Sequence, residues 1–110
     1  MLLGGTKIDL QYQKLIKILA FSDLWFSNFL NKKNRVVLSY NWKLRSLQSY
    51  IQQLEMESLG KKPNPKSIFK ETGQSIFGGF GSTAQHSYFQ LLHQGTAEFC
   101  TDIIYSTSIN

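Results

Sequence analysis

The ten residues SIFGGFGSTA, numbers 75–84, contain the pattern that decides the fold. The first three are typical of a short buried strand, and the next four form a glycine-rich turn at its end. Ser82 or Thr83 can cap a following helix, which we expect to run to about His93. A strand that leads through a turn directly into a helix is the repeating unit of an α/β domain.

The same alternation of helix and strand continues on both sides of this unit. Upstream, the spacing of apolar residues predicts a helix over 14–30 that is buried on two faces, a strand at 35–38, and a second helix from Asn41. Downstream, residues 102–105 are typical of a last short strand. We therefore predict an α/β fold in which short parallel strands alternate with helices. Three short strands make a thin sheet, so we interpret the chain as part of a domain.

Composition and charge narrow the possible classes of function. Of the 110 residues, 42% are hydrophobic and only 17% are charged, so the chain can bury a core but has few charges for a fully solvated surface. The net charge of +5 is unevenly distributed, because all 12 Lys and Arg residues lie at or before Lys70 and only acids follow. This distribution argues against one continuous nucleic-acid-binding surface.

The N-terminus, the apolar segments and the cysteine indicate a cytoplasmic protein without a membrane span. The first residues lack the basic and apolar regions of a secretory signal. Lys14, Lys17 and Asp23 interrupt the most apolar stretch, so it does not qualify as a spanning helix. The single Cys100 has no partner for an internal disulfide, and we expect it to be a small buried hydrophobe.

Two groups of polar residues are candidates for chemistry. Gln53 and Glu57 are four apart, so on a helix an amide that holds a ligand hydroxyl could project beside a carboxylate that moves a proton. A solvated helix end is the simpler interpretation of that pair. His86 follows the glycine turn, where α/β proteins meet ligands. It lies seven residues from His93, with no third ligand near, so we predict no metal site.

The glycine turn also allows a nucleotide-binding interpretation. Residues 79–84, GFGSTA, match the loose G-x-G-x-x-G/A pattern of dinucleotide-binding turns. The preceding strand is short, and the downstream acids precede the last strand instead of ending it. We therefore favour the simpler interpretation, in which the glycines adopt positive φ angles.

Two longer motifs carry a family resemblance. Residues 50–61, YIQQLEMESLGK, resemble the Q-x-x-M-E-S-x-G-K segment of glucose-6-phosphate isomerases. Residues 81–96, GSTAQHSYFQLLHQGT, are similar to that family's G-T/S-x-x-Q-H motif and to the helix after it, which ends in H-Q-G-T. The two motifs stand in the family's order and spacing, and the resemblance extends over nearly the whole chain.

This resemblance implies a fold and an activity. Residues 1–110 would form the middle of the family's second sugar-isomerase (SIS) domain, without a complete domain pair. The family's activity is that of an intramolecular aldose–ketose isomerase of glycolysis and gluconeogenesis. It interconverts glucose 6-phosphate and fructose 6-phosphate through a cis-enediol. By the same resemblance, the full enzyme is a cytoplasmic homodimer that acts on a sugar phosphate and needs neither metal nor organic cofactor.

The resemblance also assigns roles to three residues. Glu57 matches the glutamate that moves a proton between C2 and C1, and Gln53 matches a glutamine that contacts the substrate. His86 matches the histidine that assists ring opening and reaches the active site from the neighbouring subunit. Leu59 and Ala84 stand where many members carry Asn and Gly, and these departures remove none of the three groups.

Other parts of the family's site have no counterpart in these residues. The sequence has neither a Ser/Thr-rich phosphate-binding loop nor the family's late lysine, so we expect the 110-residue chain to be inactive alone. One alternative is a non-catalytic fragment that complements a separately encoded remainder. Another is a small basic nucleic-acid-binding protein that uses Lys32, Lys33, Arg35, Lys61 and Lys62.

Overall fold

The computed structural model describes residues 9–107, which contain a sheet of three parallel strands. β1 (Asn34–Ser39) lies in the centre, between β2 (Ser75–Phe80) and β3 (Phe99–Ile104). The first residues of the three strands pair with one another, so the strands start level. The predicted α/β fold with parallel strands is confirmed.

Helices connect these strands and cover the sheet. The helical elements, in chain order, are α1 (Leu10–Asn28), a 3-10 turn (Trp42–Leu44), α2 (Leu47–Gln52), a π-helical turn (Gln53–Glu57), α3 (Gly81–Ala84) and α4 (Phe89–Gln94). The π-helical turn continues α2 directly, so one helical segment follows β1 and leads back along the sheet.

Side chains alternate between the two faces of the sheet, and each face meets different helices. On one face, Val36 and Leu38 pack with Ala84 of α3. This core is completed by Phe77, Tyr88, Phe89, Leu92 and Phe99. The other face carries Val37 and Ile76, which are almost fully buried. Both faces of β1 are therefore covered, which explains its nearly continuous apolar run.

α1 is much less buried than its apolar content predicts. Asp9 caps the helix by accepting a hydrogen bond from the backbone N–H of Gln11. Ser27 is the only buried residue of α1, so the expected burial on two faces is wrong for residues 9–107. At least half of the surface is exposed in Leu10, Tyr12, Leu15, Ile16, Ile18, Leu19, Phe21 and Trp25. An apolar helix surface thus remains uncovered in the described chain.

The region after β2 differs from the predicted single helix. A turn at residues 85–88 separates α3 from α4. Tyr88 leaves the helical region of backbone conformation (φ −111°, ψ 5°), and its ring packs edge-on against Phe77 with centroids 5.3 Å apart. This aromatic packing favours the break over a continuous helix. β3 also starts earlier than predicted, at Phe99 instead of Asp102, because Phe99 already pairs with the first residue of β1.

The remaining expectations concern the ends, the membrane and the cysteine. The N-terminal residues that lack a secretory signal lie outside the described range. Within 9–107, no helix combines the length and the apolar run needed to cross a membrane. Cys100 is half-buried instead of fully buried, and its sulfur accepts a hydrogen bond from Gln74 Nε2 at 3.3 Å.

Candidate active site

Glu57 and His86 lie at opposite edges of the sheet, that is, at opposite ends of its strands, because α2 runs antiparallel to the strands. At the carboxyl edge, where the strands end, Trp42 packs edge-on against Phe80 with ring centroids 5.3 Å apart. At the amino edge, where the strands begin, Met56 Sδ accepts a hydrogen bond from the backbone N–H of Ile76 at 3.4 Å. The segment that carries Glu57 therefore ends beside the starts of β1 and β2.

Gln53 and Glu57 begin and end the π-helical turn. Together with Tyr50, Leu54 and Ser58 they line a surface depression of about 360 Å³. Both side chains are exposed, and neither forms a hydrogen bond or ion pair with residues 9–107. An amide and a carboxylate are thus available to a ligand in one depression. Their assignment as substrate-binding and catalytic groups stays a prediction.

His86 lies at the carboxyl edge, in the turn between α3 and α4. Its backbone N–H donates to the carbonyl of Thr83 at 3.2 Å, and its imidazole is exposed. The preceding Gln85 donates from Nε2 to the hydroxyl of Tyr40 at 3.1 Å, which ties this turn to the residue after β1. Its proposed role in ring opening also stays a prediction.

Glycines shape the carboxyl edge through close backbone approach. Gly78 and Gly79 have φ angles of +149° and +156°, so the expected positive φ occurs at these two glycines but not at Gly81. They belong to the end of β2, however, and not to a turn after it. A Cβ on Gly78 would overlap the carbonyl oxygen of Val37, and one on Gly81 would overlap the ring of Tyr40. Packing between neighbouring chain segments therefore requires glycine at positions 78 and 81, whereas at Gly79 only the backbone conformation favours it.

A charge cluster that the sequence patterns do not predict lies at the amino edge. Arg35 Nη1 lies 2.9 Å from Asp23 of α1 and 3.1 Å from Glu55 of the π-helical turn. Its Nη2 lies 2.6 Å from Asp102 of β3, and its Nε donates to the same carboxylate oxygen at 2.7 Å. Only 11% of the Arg35 side chain is exposed. We call Arg35, Asp23, Glu55 and Asp102 the Arg35 cluster; it joins four elements.

The Arg35 cluster contains three carboxylates and one guanidinium. The balance of burial and charge in the cluster raises the pKa values of both Asp23 and Arg35. Burial raises the pKa of Asp23; the charge of Arg35 opposes this shift, and repulsion from Glu55 and Asp102 adds to it. Burial alone would lower the pKa of Arg35, but the hydrogen bond to Asp102 and the three negative charges raise it. A signal was present in the sequence: an arginine that opens a buried apolar run needs partners.

Two alternative chemistries find little support in the geometry. Among residues 9–107, no group of three or more His, Cys, Asp and Glu side chains is arranged to hold a metal ion. Three of the five basic residues considered for nucleic-acid binding are paired with acids: Lys32 with Glu98, Lys33 with Glu71, and Arg35 within its cluster. Their charge is therefore partly neutralised within the chain.

Comparison with known proteins gives consistent matches. The family model described as phosphoglucose isomerase matches residues 7–109. Glucose-6-phosphate isomerases of Shewanella baltica and Shewanella pealeana are each 47% identical over 89 residues, which is 79% of this chain and 16% of theirs. The crystal structure of a glucose-6-phosphate isomerase from Chlamydia trachomatis superposes with a TM-score of 0.70 at 34% identity, covering 78% of this chain and 17% of that one. The chain thus spans about a sixth of the length of these relatives.

Proposed function

Since this chain belongs to the phosphoglucose isomerase family, we propose that it supplies the proton-transfer groups of a glucose-6-phosphate isomerase. The resemblance of the chain to this family is confirmed, and the family is one of isomerases. The observation that carries the proposal is the depression in which Glu57 and Gln53 stand side by side without partners in residues 9–107. A free carboxylate beside a free amide suits a substrate that presents an acidic C–H next to hydroxyl groups.

The proposed chemistry needs only proton transfers. Glu57 takes the proton from C2 of the open-chain aldose and returns it to C1, while the proton of the C2 hydroxyl passes to the oxygen on C1; the cis-enediol lies between these transfers, and the product is the ketose. Gln53 binds a substrate hydroxyl. His86 moves a proton between the ring oxygen and the anomeric hydroxyl as the ring opens. Aldose and ketose are isomers with no net change in oxidation state, so the reaction needs no redox cofactor; the resemblance to the family carries the further proposal that no metal or other organic cofactor takes part.

The opposite locations of Glu57 and His86 support a site shared between two copies. α2 and the π-helical turn together hold Glu57 at the amino edge, whereas the turn after α3 holds His86 at the carboxyl edge. Since the sheet lies between them, we propose that each site combines Glu57 of one copy with His86 of a second. A homodimer with two equivalent sites is the simplest assembly that does this.

The remainder of the site is proposed to come from outside these 110 residues. The matching relatives are about five times as long as this chain, since the 89 aligned residues make up only 16% of their length. We propose that residues 1–110 correspond to the middle of the second sugar-isomerase domain, that the chain alone has no measurable turnover, and that the complete enzyme acts in the cytoplasm. No nucleic acid and no membrane form part of the proposal.

A chimaera tests this function. The matching stretch of this chain replaces the corresponding 89 residues of the Shewanella baltica relative, and turnover of fructose 6-phosphate is measured. We expect an active chimaera in which Glu57→Gln lowers kcat by about a thousandfold and His86→Asn by about a hundredfold. Glu98→Gln, an acid-to-amide change at an exposed ion pair, serves as the matched control and leaves kcat unchanged.

Co-expression of the two chimaera variants tests the shared site. One copy carries Glu57→Gln and the other His86→Asn. Random pairing makes half of the dimers mixed, and each mixed dimer has one intact site out of two, so about a quarter of the unmodified activity returns. Activity that stays at the level of the single variants means that both residues act within one copy. Wild-type kcat in the Glu57→Gln variant contradicts the proposed function itself.

A second candidate function rests on the bare apolar surface. The chain exposes 9084 Å², against roughly 6,200 Å² for a folded chain of this size. The excess includes the apolar side chains of α1, and an apolar area of this kind is typical of an interaction surface. In this alternative the chain is a non-catalytic fragment that complements a separately encoded remainder of the family's sequence. Co-purification with such a polypeptide, without turnover by the pair, would favour it over catalysis.

A further inference from the structure

The Arg35 cluster holds the inner side of the turn that presents Glu57. Glu55 lies two positions before Glu57 in the π-helical turn, and both of its carboxylate oxygens face Arg35 Nη1, at 3.1 and 3.4 Å. We propose that Arg35 is a positioning residue for Glu57 and acts on it through Glu55. The catalytic part of this inference rests on the proposed function; the structural part does not.

Helix geometry links the direction of Glu55 to that of Glu57. Residues two apart on a helix point to nearly opposite sides. Because Arg35 draws Glu55 toward the sheet, Glu57 points away from it and into the open depression. If the turn relaxed from π to α, its register would move by one residue and Glu57 would change direction by about 100°. The ion pair therefore selects one of two helical geometries.

The anchor itself is rigid, which a positioning role requires. Asp102 of β3 binds both Nε and Nη2 of Arg35, and Asp23 of α1 binds Nη1. Two further contacts hold the same helical segment against β2: Gln52 Nε2 donates to the carbonyl of Ile76 at 2.7 Å, and Met56 Sδ accepts from its N–H. Those two contacts fix the distance of the helix from the sheet. The contact from Arg35 to Glu55 is the charged one, and it lies two positions before Glu57 in the turn.

Hydrogen exchange of the 110-residue chain tests the inference with two variants of the same cluster. Glu55→Gln removes the charge on the helix side, and Asp102→Asn removes a charge on the strand side. We expect Glu55→Gln to speed amide exchange at residues 53–57 about tenfold while the amides of β1 keep their rates. Asp102→Asn keeps a side-chain oxygen that accepts a hydrogen bond from Arg35, so Arg35 still binds Glu55 and the rates at 53–57 rise far less than in Glu55→Gln. If Glu55→Gln is unfolded, Glu55→Asp, whose side chain is one methylene too short for the contact, replaces it.

Two exchange patterns overturn the proposal. Equal acceleration of all amides by Glu55→Gln shows that the ion pair only adds global stability, and unchanged rates at 53–57 show that it does not hold the turn. In the active chimaera, we expect Glu55→Gln to lower kcat about tenfold with KM within twofold of the parent; an unchanged kcat overturns the catalytic part. Exchange does not depend on turnover, so an inactive parent chimaera counts against the proposed function alone, and the exchange pattern still decides the structural part.

Discussion

The two edges of the sheet hold their candidate catalytic residues by different physical means. At the amino edge, one buried arginine and three carboxylates tie the Glu57 turn to three other elements. At the carboxyl edge, the His86 turn is held by a glycine-shaped strand end, by aromatic packing, and by a neutral hydrogen bond from Gln85 to Tyr40. The stability of the amino edge therefore depends on charge and pH, and the stability of the carboxyl edge depends on the volume of side chains.

This difference also bears on how the site is assembled. A charge cluster that joins α1, β1, β3 and the π-helical turn keeps Glu57 in place relative to the sheet of its own copy. His86 lies in a short turn that is anchored at its ends and leaves its imidazole exposed. A rigid carboxylate and an outward-facing histidine are what the proposed site between two copies would require. Three substitutions probe this contrast.

The largest effect is expected at the carboxyl edge, from Gly78→Ala. The new Cβ would overlap the carbonyl oxygen of Val37 in the central strand, and the φ of +149° is strained for alanine. We expect a loss of about 4 kcal/mol in the free energy of unfolding, measured by urea titration, enough to leave the variant largely unfolded. Gly79→Ala is the matched control: its Cβ meets nothing closer than the Tyr88 hydroxyl at 3.9 Å, so strain alone costs about 1–2 kcal/mol. Equal losses in the free energy of unfolding for the two variants would mean that the overlap with β1 adds nothing to the cost of Gly78→Ala.

An intermediate effect is expected at the amino edge, from Arg35→Met. Methionine keeps much of the side-chain volume but leaves three carboxylates without a counter-ion. We expect the free energy of unfolding to fall by about 2–3 kcal/mol, less than for a fully buried pair because the acids are partly exposed. Arg45→Met makes the same change at the carboxyl edge, where Arg45 lies 4.5 Å above the ring of Trp42, and costs at most about 1 kcal/mol. Similar losses at the two positions would remove the distinction between the edges.

The smallest effect concerns the pH dependence at Asp23. The pKa of Asp23 in the folded chain lies above the ordinary value of 3.8. Between pH 3.8 and that raised pKa, the folded state therefore binds more protons than the unfolded state. The contribution of Asp23 to stability is therefore greatest below pH 3.8 and is lost as pH rises through the folded pKa. We expect urea titrations across this pH range to show that, as pH rises, the free energy of unfolding of the wild type falls relative to that of Asp23→Asn. A relative gain with rising pH would mean that attraction to Arg35 outweighs burial.

Local patterns predicted much of the fold. The predicted strand at 35–38 lies within β1, and the predicted helix over 14–30 overlaps α1. The two outer strands, β2 and β3, also occur near their expected places. The predicted continuous helix to His93 failed because packing of Tyr88 on Phe77 outweighed local helical preference. The local pattern predicts a turn at the glycine run, because the role of these glycines in β2 depends on close contact with Val37, which no local pattern reports.

The sequence by itself determined the alternation of strands and helices, the two motifs of the family and the three candidate residues, because periodicity and motif spacing are local properties. Only the tertiary structure decided that Glu57 and His86 lie at opposite edges of the sheet and that Arg35 gathers its acids. Those partners are 12, 20 and 67 residues from Arg35 along the chain. Charges so far apart in sequence meet only when β1, β3 and two helices pack together, and burial then makes their pairing strong enough to matter.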